Sequence, residues 1–428
     1  MKYKVATLGC KVNQVETHAL ESMLQQRGFS LAGEGETPDV LVINTCAVTA
    51  ESGRKSRQLI RKLMSEYPEA VTAVCGCYSQ LSPEEVSALG ASVVHGSGDK
   101  ERFADDILKA FAEKQPVEYT DEPFSRRVME ELSGGAVDGR TRAMLKIQDG
   151  CANFCTYCII PYTRGRVRSL PPERCAAQSK ELFQAGFKEL VITGIEIASY
   201  GRDLTPKSDL SAAIESIAEN SGDMRLRLGS LEPTVITEDF CRRIKATGKV
   251  CDHFHLSLQS GCDETLRRMN RKYDTARFFK ARELLREYFP NCGLTADLIV
   301  GFPGETQEHH KETLSFIEHC GFSSMHIFPY SVRPGTKAAE MPNQLTAAEK
   351  SRRAAEASAV AAKMEQDYLL SCIGRTLSVL FENGQEEMSV GHAGNYTQVS
   401  VTERQLRGLV KSVQITGISG KMLVGNIV

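Results

Sequence analysis

The chain has 428 residues, 41% of them apolar, and a formal net charge of −2; that length suits two or three domains with real cores, and so even a balance excludes a global basic field, leaving any RNA surface local. Its 14 cysteines sit in far too long a chain for a small disulfide scaffold and point to a reducing, cytoplasmic setting. No run reaches the ~18 apolar residues of a membrane span, and Met1 to Cys10 lacks the apolar core of a signal peptide.

Residues 1–120 read as alternating strands and helices. Strands are expected at Lys4–Leu8, Val40–Ile43 and Val71–Val74, with helices at about 14–27 and 51–66. Further strand and helix signals follow near Ser92–Val94 and Lys100–Glu113. Alternation of this kind predicts an open parallel sheet, whose sites form beyond the carboxyl ends of the strands. Cys10, Cys46 and Cys77 each stand just after one of the first three strands, so three distant thiols are expected on one crest. Cys75 competes with Cys77, since residues two apart share a face in an extended strand. Arg54, Lys55, Arg57, Arg61 and Lys62 mark the second helix, as a solvated face or an RNA contact.

Residues 121–142 read as a linker. Glu122-Pro123, Ser133-Gly134-Gly135 and Asp138-Gly139 punctuate it, and Arg126, Arg127, Arg140 and Arg142 form a local basic patch.

From 143 to 365, strand signals recur at Met144–Gln148, Leu190–Thr193, Arg225–Gly229, Phe254–Leu258, Leu294–Val300 and Met325–Phe328. Helical patterns separate them, which predicts a partial (β/α)6 barrel with its site at the strand carboxyl ends. The first of these strands runs into Cys151, Cys155 and Cys158, spaced C-x3-C-x2-C. Thiolates suit iron–sulfur clusters or zinc. Three of them leave one iron of a four-iron cluster open. Paired zinc-finger spacings are different. The other strand ends carry Gly194 and Glu196, Ser230, Ser257 and Gln259, Asp297, and Tyr330 with Arg333. Two basic segments near this rim, Arg164/Arg166/Arg168 and Arg267/Arg268/Arg271/Lys272, are candidates for phosphate contact. No phosphate-binding G-x4-G-K-[ST] loop occurs, so nucleotide hydrolysis has no support.

A helix is expected from Ala347 to Leu370. Five short strands in 366–428, with turns at Asn383-Gly384, Gly394-Asn395 and Ser419-Gly420, predict a small antiparallel barrel. Such barrels often hold oligonucleotides. From Tyr368 on, five Lys/Arg meet four Asp/Glu, so a structural cap competes.

Taken together, these stretches resemble the radical S-adenosylmethionine (SAM) methylthiotransferases over essentially the full chain. The resemblance rests on Leu8-Gly9-Cys10-Lys11-Val12-Asn13-Gln14, Asn44-Thr45-Cys46, Gly76-Cys77-Tyr78 and Cys151 to Pro161, with Ser257 to Gly261, Gly301 to Glu305 and Tyr330 to Thr336. It selects Cys77 over Cys75, and it likens the tail to a TRAM domain. It implies two [4Fe–4S] clusters, one on Cys151, Cys155 and Cys158, where SAM binds, and an auxiliary one on Cys10, Cys46 and Cys77, which presents sulfur. Tyr157 matches the aromatic near the SAM adenine; Gly194, Glu196, Ser230 and Gln259 are the expected SAM contacts. A 5′-deoxyadenosyl radical would take hydrogen from C2 of adenine, and a second SAM would supply methyl. The residues after Cys10 are most similar to the branch acting on threonylcarbamoyladenosine in tRNA, beside the anticodon. Sibling branches act on isopentenyladenosine or on a ribosomal-protein aspartate. Expected partners are the tRNA anticodon stem-loop, an electron-donor protein and a sulfur source. The reading from another class is a zinc-stabilised RNA-binding protein without catalysis.

Overall fold

The computed structural model describes residues 1–132, 141–385 and 388–428, with the side chains of 383–385 left aside. The expected turns at Ser133-Gly134-Gly135 and Asp138-Gly139, and Arg140, lie outside the described residues.

The N-terminal unit runs β1 (Lys2–Thr7), α1 (Lys11–Gln26), β2 (Ser30–Leu31), β3 (Val40–Thr45), α2 (Ala50–Glu66), β4 (Val71–Gly76), α3 (Cys77–Leu81), α4 (Pro83–Ala88), β5 (Val93–His95), α5 (Lys100–Glu113) and β6 (Val117–Tyr119). The six strands form one parallel sheet in the order β2-β1-β3-β4-β5-β6. β3 and β4 are buried throughout and mostly apolar because both faces are covered. Val40 and Val42 face α1 and α5, while Leu41 and Ile43 face α2. The sequence did not signal β2, β6, α3 or α4, which are short.

The central unit runs β7 (Arg142–Asp149), α6 (Ile160–Arg164), β8 (Arg168–Ser169), α7 (Pro172–Gln184), β9 (Glu189–Gly194), α8 (Leu210–Asn220), β10 (Arg225–Leu228), α9 (Glu238–Ala246), β11 (His253–Gln259), α10 (Asp263–Arg268), α11 (Thr275–Tyr288), β12 (Gly293–Val300), α12 (Gln307–Cys320) and β13 (Ser324–Pro329). Parallel pairing is continuous within β10-β9-β7 and within β11-β12-β13. Between β10 and β11 only single bridges remain, Leu226 with Val250 and Leu231 with Leu256. The predicted six-stranded partial barrel is therefore present with a weak seam. An unpredicted two-residue strand, β8, pairs antiparallel to β7 at its edge.

A long helix, α13 (Ala347–Cys372), ties the barrel to the tail. Its Ala357, Ala361 and Met364 enter the central core, and Leu369 and Cys372 enter the C-terminal one. There β14 (Thr376–Gln385), β15 (Met388–Ala393), β16 (Gln398–Val401), β17 (Val410–Ser419) and β18 (Met422–Ile427) close as β14-β15-β16-β18-β17. Two expectations are corrected. The barrel is not wholly antiparallel, because β16 and β18 pair in parallel. Asn383-Gly384 is not a turn: a register shift after Phe381 lets β14 continue, and Asn383 and Gly384 pair with Val390 and Ser389.

The small barrel docks on the amino-terminal ends of the central strands. Arg225 donates to Ser378 and His392 carbonyls, and Arg227 to Ala393 and Gly394 carbonyls. Both arginines share the buried Glu189. Arg142, expected in a basic patch, pairs with Glu382 at 2.6 Å in the same interface. No helix among the described residues is long and apolar enough to cross a membrane.

Candidate functional site

β1, β3 and β4 are neighbours, so their carboxyl ends bring Cys10, Cys46 and Cys77 to one edge of the sheet. Cys10 caps the start of α1, Cys46 follows β3, and Cys77 opens α3. The Gly9 backbone runs so close over Cys46 that a Cβ there would lie 3.2 Å from its sulfur. Asn13 fastens the loop: its Nδ2 donates to Leu8 O at 2.8 Å and Thr45 O at 3.0 Å. Cys10 and Cys46 each lie near enough to Cys77 for its thiolate to oppose their ionisation.

Cys75 is elsewhere. Gly76 takes φ +107°, which breaks the strand and its alternation. Cys75 therefore packs in the α1/α5 core and Cys77 in the α2 core. Burial pushes the Cys75 thiol up to about 12.

The second trio lies in the loop from β7 to α6. Thr156 holds this loop against the α10 end, its N–H donating to Met269 O and its hydroxyl to Arg268 O. Asn270 donates to Asn153 and Phe154 carbonyls. Cys151, Cys155 and Cys158 interact electrostatically, and burial raises Cys151 and Cys158 to about 12 as free thiols. Cys158 also senses Cys77, so the two trios are neighbours across the domain interface.

One buried arginine serves each trio. Arg164 Nε donates to Cys77 Sγ at 3.3 Å, and Arg271 Nη1 to Cys155 Sγ at 3.0 Å. Arg164 also donates to Asn13 Oδ1 at 2.9 Å and pairs with Glu16. Lys146 completes this network, 2.8 Å from both Glu16 and Asp149, and Arg168 lies 3.3 Å from Asp149. Burial alone would raise the Glu16 carboxyl; the Arg164 and Lys146 charges overcome it and hold Glu16 at about 2. Arg271 further pairs with Glu232 at 3.3 Å. These contacts correct the expectation that Arg164, Arg168 and Arg271 meet phosphates: all three are buried. Arg126 is likewise held inside, by Asp121, Ser97 and Gln80. Arg57 donates to the Tyr78 hydroxyl and Arg54 pairs with Glu51, whereas Arg61, Lys62, Arg166, Arg267 and Lys272 remain exposed.

The expected SAM contacts line the ends of β9 to β11. Gly194 stands against the Gln148 carbonyl, where a Cβ would lie 2.8 Å away. Glu196 is held by the Gln148 side chain through its N–H at 2.8 Å and by Ser199; burial raises its carboxyl. Its charge is felt at Cys151. Ser230 is exposed beyond β10, and Gln259 ends β11 with φ +67°. Tyr157 packs edge-on beside Phe302. Sequence reasoning missed Glu16, and it named Asn13 only within the Cys10 motif and Glu232 only as a residue at the end of the third barrel strand, neither with a role. Asn13, three residues into the helix that Cys10 caps, is the one whose spacing was a signal.

Both trios fit iron–sulfur clusters better than zinc. Tetrahedral zinc with Zn–S near ~2.3 Å needs sulfurs about 3.8 Å apart. Among the described residues only His255, Asp297 and His326 bring three ligand atoms within 4.8 Å of one another. A cluster spreads its thiolates over separate irons, and a guanidinium beside each trio offsets the negative charge those thiolates would carry.

The chain matches the Radical SAM superfamily over residues 145–317 and the family described as Uncharacterized protein family UPF0004 over residues 2–96. It is 39% identical over 414 residues to the threonylcarbamoyladenosine tRNA methylthiotransferase MtaB of Bacillus subtilis, covering 95% of this chain and 92% of that one. Identity is 34% to the MtaB of Thermotoga maritima, covering 98% of each chain. It is 32% to the tRNA-2-methylthio-N(6)-dimethylallyladenosine synthase of Pelotomaculum thermopropionicum, covering 99% of this chain and 97% of that one. Among solved structures, the radical SAM methyltransferase TsrM of Kitasatospora setae superposes with a TM-score of 0.59 at 15% identity, covering 79% of this chain and 75% of that one, which speaks for the fold alone.

Proposed function

The chain belongs to the radical-SAM methylthiotransferase family, and on that premise we propose that it converts threonylcarbamoyladenosine beside the tRNA anticodon to its 2-methylthio form. It is an enzyme whose cofactors are SAM and [4Fe–4S] clusters. The observation that carries the reading is the adjacency of the two thiol trios, with Cys158 near Cys77 and Arg164 between the domains. A target base between them would reach both sites at once.

In this reading Cys151, Cys155 and Cys158 would hold one cluster and Cys10, Cys46 and Cys77 the other. When bound, the first cluster with SAM supplies the radical that removes the C2 hydrogen, and the second presents the sulfur that replaces it. The protein's share is position and charge. Arg271 and Arg164 would each donate to a coordinated sulfur. Asn13 would keep the Cys10 loop closed. Gly194, Glu196, Ser230 and Gln259 would bind SAM across the ends of β9 to β11, with Tyr157 against its adenine. The exposed Arg166, Arg267 and Lys272 supply local positive charge for the RNA backbone. A one-electron donor protein and a sulfur source complete the partners, in the cytoplasm.

Nucleoside analysis of tRNA from a strain lacking this chain tests the reading. Loss of 2-methylthio-threonylcarbamoyladenosine, restored by the parent chain, is expected; an unchanged level rejects the substrate.

A further inference from the structure

Side chains alternate along β11, β12 and β13, and three of those facing the barrel interior meet. Leu256, Leu258, Ala296 and Leu298 turn outward into the core, which leaves His255, Asp297 and His326 on the inner face. Asp297 Oδ2 lies 3.2 Å from His255 Nε2, and Asp297 Oδ1 lies 3.2 Å from His326 Nδ1. Thr295 Oγ1 holds the other nitrogen of His255 at 2.9 Å. Side-chain exposure rises from 15% at His255 through 31% at Asp297 to 65% at His326, so an entering ligand meets His326 first.

Lys11, the residue after Cys10, opens α1, which packs against β7 and β9, and its ammonium is close enough to oppose protonation of His326 and His253. Nearby Arg142 and Arg227 are already paired with Glu382 and Glu189. Burial and the neighbouring Arg227 and Arg142 lower the Lys11 ammonium, Glu189 favours its charge from a distance, and among the described residues no carboxylate lies at ion-pair distance from it, so an entering anion would relieve it. Ile299 and Tyr157 of the thiol loop pack against the same cluster of Met269, Phe302, Tyr330 and Ala338. Asp297 lies two residues earlier on the same strand face, roughly 7 Å away. The group thus lies on the strand face that leads to the packing around the thiol loop, with the ammonium of the residue after Cys10 beside it.

The geometry points to Lys11 and His326, the latter oriented by Asp297 and His255, as the site that takes the carboxylate of the substrate's N6-threonylcarbamoyl group. The inference rests on the substrate named above. The carboxylate would accept from the Lys11 ammonium and from His326 Nε2–H, while Asp297 accepts from Nδ1–H. A base whose N6 substituent lacks a carboxylate would leave Lys11 unpaired, which is the means of discrimination.

Anaerobically prepared enzyme carrying both clusters is titrated with three synthetic anticodon stem-loops, bearing threonylcarbamoyladenosine, its carboxyl methyl ester, or plain adenosine. The acid is expected to bind about tenfold tighter than the ester, the scale of one charged hydrogen bond. His326→Gln and Lys11→Gln should each bring the acid down to the ester and leave the other two loops unchanged. The acid–ester comparison needs no variant, so it decides even where Lys11→Gln loses iron. Equal affinity for acid and ester overturns the inference, as does equal weakening of all three loops. One non-iron divalent metal per chain, lost in His326→Gln, also overturns it and makes the triad a metal site. A parent that methylthiolates the threonylcarbamoyl loop yet ignores the ester substitution sinks only this inference. A parent that fails on that loop sinks the substrate reading with it.

Discussion

Arg164 shows how one side chain couples charge, packing and chemistry. It donates to Cys77, to Asn13 and to Glu16 from a fully buried position. Removing one member of a buried ion pair strands the other, at about 3–5 kcal/mol. Because Lys146 still meets Glu16 at 2.8 Å, Arg164→Ala is expected to destabilise the cluster-free chain toward the lower end of that range, about 3 kcal/mol; denaturant unfolding measures it. The double variant Glu16→Gln/Arg164→Gln should recover part of the loss, since no charge is then left alone. At the other trio, Arg271 donates to Cys155. A donor to a cluster sulfur stabilises the reduced, more negative state. Arg271→Gln should shift that cluster's potential to more negative values in an EPR-monitored redox titration, with iron content unchanged. Cys151, Cys155 and Cys158 were legible in the sequence by their spacing, and Cys10, Cys46 and Cys77 by their places just after strands. Arg164, Arg168 and Arg271 were not: a guanidinium reads as surface charge until the fold supplies buried Glu16, Asp149 and Glu232 opposite it.

Strand ends, rather than strands, carry the chemistry at the level of elements. β4 must stop at Gly76 for Cys77 to leave the strand face on which Cys75 is buried. A Cβ on Gly76 would lie 2.5 Å from Thr45 O and from Asn44 Oδ1, and its φ is +107°. Gly76→Ala combines left-handed strain of roughly 1–2 kcal/mol with a clash that must move the β4–α3 corner. Iron analysis of anaerobically reconstituted Gly76→Ala is expected to give about four irons per chain against about eight in the parent. Full iron in the variant would show that Cys77 needs no such corner. Alternating apolar runs made most of the elements legible. The weak seam between β10 and β11, the added β8 and the parallel β16–β18 pair were not legible, because pairing partners far apart in sequence leave no local period.

Across the whole molecule, the C-terminal barrel is fastened beneath the central one by charge. Burial would raise Glu189, but Arg227, Arg225 and Arg142 outweigh it and hold the carboxyl at about 2, below its ordinary 4.5. A depressed acid contributes stability in full above the unfolded value and loses it as pH falls through the folded value. Thermal unfolding of the cluster-free chain should therefore weaken from about pH 4.5 downward, and Glu189→Gln should remove that part of the slope. Equal slopes in parent and variant would remove Glu189 from the acid response. Close approach adds to the same interface, since a Cβ on Gly293 would lie 2.3 Å from Asn395 O. Gly293→Val is expected to loosen the docked barrel, seen as faster proteolysis after α13 with the central core intact.

Sequence alone was enough for most of the strands and helices and for naming both sets of thiols as candidates, since apolar period, turn residues and a cysteine just after a strand are properties of neighbouring residues. Tertiary structure decided which charges are buried, that Cys75 turns into the α1/α5 core, and that Cys158 approaches Cys77 across the domain interface. It also gathered Lys11, His255, Asp297 and His326, none of which stands near more than one of the others in sequence. Burial and long-range approach depend on how the sheets close around one another, and no window of sequence contains that.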